Sequence, residues 1–274
     1  MPAVVLFLIA LNTSAADVPR AVVDEVKRYA NDAAAIARAP LHWDERTWRQ
    51  VAVIVAADAA AFAADEEIAD AAQRNRNATT ENIARSITPL GGGRGLQIAA
   101  ATLLGGLVFR NPKVRDTGRD AVEASILASG VITPALKHIV GRSRPFERKG
   151  AYAFDPFGDD ESFPSGHSTN AFALASVFAA HSRGRVVPMI AYTLASAVAV
   201  ARIHDDVHFT SDVIAGAAIG TAVGRSIVAR HRRIAPSASR VSWTVMPVRG
   251  GVAFGVALPV DTLRRIESRF VRRR

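Results

Sequence analysis

Between Lys137 and Asp212 the sequence reads KHIVGRSRP (137–145), PSGH (164–167) and RIHDDVHFTSD (202–212), and these three clusters organise the chain. Between the second and third lie two apolar, Ala-rich runs, 168–181 and 186–201, joined by the polar turn Ser182-Arg183-Gly184-Arg185. That pattern predicts a helical hairpin. A helix of about 14 to 16 residues is roughly 21 to 24 Å long, so the first run leads away from His167 and the second returns to Arg202. His167 and Arg202 are therefore expected at the same end of the hairpin. His208 and Asp212, four apart at the start of the apolar run 213–229, are predicted on one face of a helix's first turn. The run 121–140 carries Lys137 at its end, and Gly141 and Pro145 stop it around Arg144.

The groups gathered in this way suit phosphoryl transfer. A phosphate dianion needs multidentate cations, which Arg supplies as a planar fork and Lys as a point charge. It also gains from N–H groups at a helix N-terminus, here those around Ser165 to His167. His208, held in one tautomer by Asp212, can attack phosphorus through its free ring nitrogen. His167 can protonate the leaving alkoxide and later activate water.

Lys-x6-Arg-Pro, then Pro-Ser-Gly-His, then Arg-x5-His-x3-Asp resembles the type 2 phosphatidic acid phosphatase and vanadium haloperoxidase superfamily. The likeness covers 137–212 directly and extends to the flanking helices 96–136 and 213–229. It implies phosphate binding by Lys137, Arg144, Ser165, Gly166 and Arg202, acid chemistry at His167, a nucleophile at His208 and orientation by Asp212. It also implies no catalytic metal and no cofactor, with vanadate as the alternative occupant if the chain is a haloperoxidase. One departure is visible: the family usually has Ser before the third-motif Arg, and here it is Ala201.

Composition bounds the class. With 274 residues and 49% hydrophobic content there is material for one sizeable domain plus appendages. The absence of cysteine excludes disulfides and thiolate metal sites. The net charge of +9 raises the question of nucleic acid. Much of the excess is local, in Arg264, Arg265, Arg269 and Arg272 to Arg274, and in Arg230, Arg232 and Arg233. No zinc finger, aromatic RNA-binding motif or basic zipper accompanies it, so no nucleic-acid partner is expected. No obligate protein partner is evident either.

In chain order, residues 1–16 read as an export signal or, alternatively, an uncleaved anchor, with Val4 to Leu11 as apolar core. Residues 17–50 read as a surface segment with helical spacing, and 51–64 as an apolar helix in which Asp58 is a hydrogen-bonded packing residue. Gly91-Gly92-Gly93 lacks the Gly-Lys-Ser/Thr of a phosphate loop and reads as a turn before a helix over 96–109. Asn111 to Arg119 reads as a basic link before helix 120–140, kinked at Pro134. The charged loop 146–163 joins two motifs and is expected to lie over the pocket as a solvated lid. Among His204, Asp205 and Asp206, tuning of the neighbouring histidine and a plain hydrophilic turn remain equal alternatives. His138 reads as structural, and Arg142 as a supporting cation. From 234 onwards, the alternation over 241–260 around Gly250-Gly251 predicts a β-hairpin followed by an Arg-rich tail.

The expected architecture is an all-α bundle of about six core helices over 51–233, with the hairpin appendage at 234–274. The expected function is metal-independent hydrolysis of phosphate monoesters or lipid phosphates and pyrophosphates. A haloperoxidase and an inactive envelope scaffold are the alternatives. The apolar runs are at or below spanning length. Basic links fall at the helix ends away from the motifs, which fits positive-inside topology in an inner membrane with the site facing the periplasm. A soluble periplasmic protein after signal cleavage is the alternative. The expected partner is a phosphorylated small molecule or a lipid headgroup.

Overall fold

The structure, a computed structural model, describes residues 18–234 and the backbone of two strands, 242–248 and 251–257. The expected export signal or anchor at 1–16 and the terminal arginines lie outside the described residues. The described residues up to Val228 group as one unit and those from Ala229 onwards as another. In the second unit, strands Ser242–Val248 and Gly251–Ala257 pair antiparallel. The all-α class rests on the helical domain alone.

That domain runs α1 (Val18–Arg38), α2 (Glu45–Ala63), α3 (Asp65–Arg74), α4 (Ala78–Ile87), α5 (Gly93–Val108), α6 (Pro112–Ser125), a π-helical segment Ile126–Ile132, α7 (Thr133–Val140), α8 (Gly166–His181), α9 (Val186–His204) and α10 (Thr210–Ile234). The hairpin is α8 and α9, as the two apolar runs predict. α8 is the central helix: Ser168 to Ala171 and Ala173 to Val177 are all buried, so it is covered on every side. Its core partners include the small Ala99 of α5 and Ala121 and Ala124 of α6, together with Val223 and Ile227 of α10. Small side chains let the helices approach closely. A Cβ added to Gly216, Gly220 or Gly224 of α10 would lie 2.7, 2.1 or 2.5 Å from a backbone oxygen of α8.

Three elements differ from their sequence reading. The basic stretch after Asn111 is helix, because Asn111 caps it by accepting from the Val114 amide at 3.2 Å and Pro112 occupies the first helical position. Pro134 is accommodated by the π-helical turns before it, where the Thr133 hydroxyl donates to the Ala128 carbonyl at 2.9 Å. α1 is more than a surface segment: Tyr29, Ala33 and Ile36 pack on the core, and Arg28 meets the fully buried Glu123 at 2.9 Å.

Among the described residues, two helices are long and apolar enough to cross a bilayer by length and composition, Val186–His204 and Thr210–Arg233. The first buries little of itself, exposing Val186, Val187, Met189, Ile190, Leu194 and Val200.

Candidate active site

The three motifs meet at one end of the bundle. Lys137 sits in the last turn of α7, which Gly141 ends in the left-handed conformation (φ 57°), its amide returning to the Lys137 carbonyl at 2.8 Å. A Cβ at Gly141 would fall 1.8 Å from the Asp155 carbonyl oxygen, so only glycine fits this crossing. The chain then runs extended through Arg142, Ser143 and Arg144, tied to the 146–163 loop by Ser143 N to Ala153 O (3.0 Å) and Ser162 N to Arg142 O (2.8 Å). The Lys137 ammonium donates to the Glu161 carbonyl.

Ser165 caps α8, its hydroxyl facing the Ser168 amide at 3.5 Å, while its own amide donates to the Asp212 carbonyl at 2.9 Å. The Ser165 amide is thus committed, its hydroxyl keeps its own O–H to donate, and the residue is fully buried. The amides of Gly166 and His167, in the helix's first turn, have no partner within the helix and are donors of the kind an anion can use. At Gly166 an added Cβ would meet only the Thr133 methyl, at 3.5 Å.

Arg202 comes from the last turn of α9. Its Nη1 donates to Asp205 Oδ2 at 3.0 Å, and its buried Nε has no hydrogen-bond partner among the described residues. The Arg144 guanidinium makes no ion pair among them. His204 turns instead to the Thr80 hydroxyl at 2.8 Å, and Asp206 pairs with Arg148 at 3.0 Å. Of the three residues left open by the sequence, Asp205 alone touches a site cation.

His208 precedes α10 rather than lying in it, since the helix begins at Thr210. The Asp212 carboxylate reaches back to accept from the Phe209 amide at 2.8 Å, and it lies 3.6 Å from His208 Nδ1. At that separation the contact is an ion-pair distance rather than a hydrogen bond. The arrangement directs Nδ1 towards the carboxylate and leaves Nε2 for chemistry.

Beneath the site is a network that the sequence did not disclose. Arg142, fully buried, donates to Asp212 Oδ1 (2.7 Å), Asp65 Oδ2 (2.8 Å), Ser211 Oγ (2.7 Å) and the Ala151 carbonyl (3.0 and 2.8 Å). The rings of Phe209, Phe62 and Phe154 surround its guanidinium at 4.3, 4.9 and 5.8 Å. Ser162 donates to Asp212 Oδ2 at 2.6 Å, and Ser211 N to Asp65 Oδ1 at 3.0 Å. Burying such charges costs several kcal/mol each, which complete pairing offsets. The 146–163 loop is accordingly a pinned wall: Asp160 holds Lys149 at 3.0 Å, and the Ala151 amide donates to Glu66 at 2.9 Å. Asp58, expected to be hydrogen-bonded, has a buried Oδ1 without a partner among the described residues.

The glycine turn before α5 packs on His167. A Cβ at Gly92 would lie 3.1 Å from His167 Nε2, and one at Gly91 2.6 Å from the His167 carbonyl oxygen. Asn170 holds the turn there, donating to the Gly91 carbonyl at 3.0 Å and accepting from Ser125 at 2.7 Å.

Electrostatics follows from burial and crowded positive charge. Burial, reinforced by Arg144, pushes Lys137 down to about 8. Burial, then Arg202, His208, Lys137 and Arg144, pushes His167 down to about 4. Burial also pushes His208 down to about 4, against the opposing pull of Asp212. Both histidines are neutral in the free site at neutral pH, and the field around them favours an anion.

Residues 121–235 match the profile of the PAP2 superfamily, a segment that holds all eight motif residues. The chain is 38% identical over 101 residues to a lipid A 1-phosphatase of Rhizobium etli, covering 35% of this chain and 43% of the relative. It is 40% identical over 81 residues to a lipid A 1-phosphatase of Porphyromonas gingivalis, covering 27% of this chain and 18% of that one. The chain thus spans less than half the length of these curated relatives. A solved transmembrane PAP2-type phosphatidylglycerolphosphate phosphatase from Bacillus subtilis shares the fold, with a TM-score of 0.53 at 23% identity over 78% of this chain and 98% of the other. Over residues 121–235 the ordered motifs and the PAP2 superfamily profile coincide, and the helical fold is the one shared with the Bacillus subtilis structure.

Proposed function

We propose that this chain is a phosphatase that removes phosphate from a lipid-linked monoester or pyrophosphate, without metal, through a phosphohistidine intermediate. The observation that carries the reading is the meeting of Lys137, Arg144 and Arg202 with His167 and with a buried His208 backed by Asp212. Three cations and the first amides of α8 bind the phosphate oxygens. His208 Nε2 attacks phosphorus in line as the ester P–O bond breaks, and His167 gives its proton to the departing alkoxide. Water then attacks the phosphohistidine with His167 as base, the P–N bond breaks, and inorganic phosphate leaves. Asp212 stabilises the positive charge that His208 acquires. A bound dianion cancels much of the cationic field on His167 and raises its affinity for the proton that it must donate.

The apolar surface of Val186–His204 and the names of the relatives support a substrate held at a membrane. Basic residues at the opposite helix ends, such as Arg183 and Arg185, support a site on the outer face of an inner membrane. Phosphate release from a panel of soluble and lipid phosphates, in chelator, by wild type and by His208→Ala tests the reading. Turnover by wild type alone is the expected result. Equal release by both proteins, or a requirement for added metal, would overturn it.

A further inference from the structure

A cleft of about 590 Å³ opens beside Gly166 and His167 and runs between α1 and the π-helical segment. Its walls are Val22 and Val26 of α1, Leu96 of α5, and Ile126 and Gly130 of the π-helical turns. The volume is in the range of small-molecule sites. We propose that this cleft receives an acyl chain of the lipid whose phosphate is removed, with α1 as a specificity wall that residues 121–235 do not contain. The proposal rests on the phosphatase reading above and deepens it.

Position supplies the first argument. In-line displacement places the leaving oxygen opposite His208, against His167. Whatever that oxygen carries must project to the His167 side, and the cleft begins there. Lining chemistry supplies the second. Apart from His167 itself, the polar residues of the wall are engaged: Glu25 holds Arg28 and Arg119, the Tyr29 ring lies under the Arg28 guanidinium at 5.3 Å, Ser129 donates to the Ser125 carbonyl, and Asn170 holds Ser125 and Gly91. What remains towards the space is apolar, including Val26, which is 60% exposed. A sugar or nucleoside would find few partners there, whereas a hydrocarbon chain would lose only water.

Two glycines make the cleft wide. A Cβ at Gly93 or at Gly130 meets nothing within 4 Å, so a larger side chain at either position enters open space. Gly105 of α5 is equally open but does not line the cleft, and it serves as the control.

The test uses the full chain in detergent micelles and two substrates with the same leaving oxygen, a long-chain diacylglycerol phosphate and glycerol phosphate. Gly130→Leu and Gly93→Leu are each expected to lower kcat/KM for the diacyl ester about tenfold more than for glycerol phosphate, and Gly105→Leu is expected to leave the ratio unchanged. A diacyl phosphate with a photoreactive group on its acyl chain is expected to label wild type between Val22 and Tyr29, a readout that needs no substitution. Parallel loss on both substrates in the folded variants, or labelling that avoids α1, would overturn the cleft assignment and leave the phosphatase reading standing. Failure of wild type to release phosphate from either ester would overturn both.

Discussion

Arg142 and Asp212 face each other at 2.7 Å with neither side chain exposed, and the same guanidinium holds Asp65 at 2.8 Å. The carboxylate beside His208 is therefore fixed from the start of α3, through a fully buried cation. Asp65→Asn keeps the shape and removes one charge of the trio. Removing one partner of a buried pair costs about 3–5 kcal/mol, and a site displaced by about 1 Å loses about a hundredfold in rate. Asp65→Asn is expected to lower the melting temperature and to reduce kcat far more than it changes KM. Arg142→Lys should behave alike, since an ammonium cannot replace the guanidinium fork. Unchanged kcat in a folded Asp65→Asn protein would show that Asp212 needs no support from α3.

The distribution of legible and hidden features has physical causes. The ends of α8 and α9, and hence the meeting of His167 with Arg202, follow from run length, because helical rise is fixed. Asp65 was hidden because its partners Arg142 and Ser211 lie far along the chain and no local period marks such a pairing. The beginning of α6 is marked in the sequence by Asn111-Pro112, a cap and a first-turn proline, but the basic residues that follow give it the composition of a link. The i, i+4 spacing predicts His208 inside the first turn of α10, whereas the helix starts two residues later, with the Asp212 side chain reaching back to the Phe209 amide. Ser165 has a structural duty that its motif does not reveal, since its amide holds the Asp212 carbonyl and its hydroxyl oxygen faces the Ser168 amide.

Lys137 sets an alkaline limit. Burial, with Arg144 beside it, brings its pKa down to about 8, so the ammonium is charged below that pH and lost as pH rises through it. The kcat/KM profile reports the free enzyme and is expected to fall above about pH 8. Lys137→Arg stays charged at all these pH values, and the limb should move upward even if the maximum rate drops. An alkaline limb unmoved by that substitution assigns it to another group.

His167, held near 4 in the free site, should take up a proton when an anion binds among Lys137, Arg144 and Arg202. Sulfate is a suitable probe because it does not titrate in the working range. Calorimetry at about pH 5.5 in buffers of differing ionisation enthalpy is expected to show net proton uptake, at most about one per site. His167→Gln should bind sulfate without that uptake. Identical uptake in the two proteins would remove His167 from the role of acid.

The crossing of α8 and α10 permits a graded test, because its three glycines lie at increasing distance from the site. Gly216 faces the Ser165 carbonyl, Gly220 that of Thr169 and Gly224 that of Ala173, with added Cβ atoms at 2.7, 2.1 and 2.5 Å. These approaches are to backbone, so a methyl group cannot be absorbed by a rotamer change and must separate the helices. Overpacking of this kind costs about 1–3 kcal/mol. All three alanine variants should therefore melt at lower temperature, Gly220→Ala the most. Their effects on kcat should differ. Displacement at Gly216 acts on the Ser165 amide, which holds the Asp212 carbonyl at 2.9 Å, and so moves the turn that presents Gly166 and His167 relative to the helix that carries Asp212. Displacement at Gly224 acts two turns further away. Normalised to folded protein, Gly216→Ala is expected to lose about tenfold or more in kcat and Gly224→Ala little. Equal losses in kcat would mean that α8 and α10 move as rigid rods and that the Ser165–Asp212 hydrogen bond is not what aligns the two halves of the site.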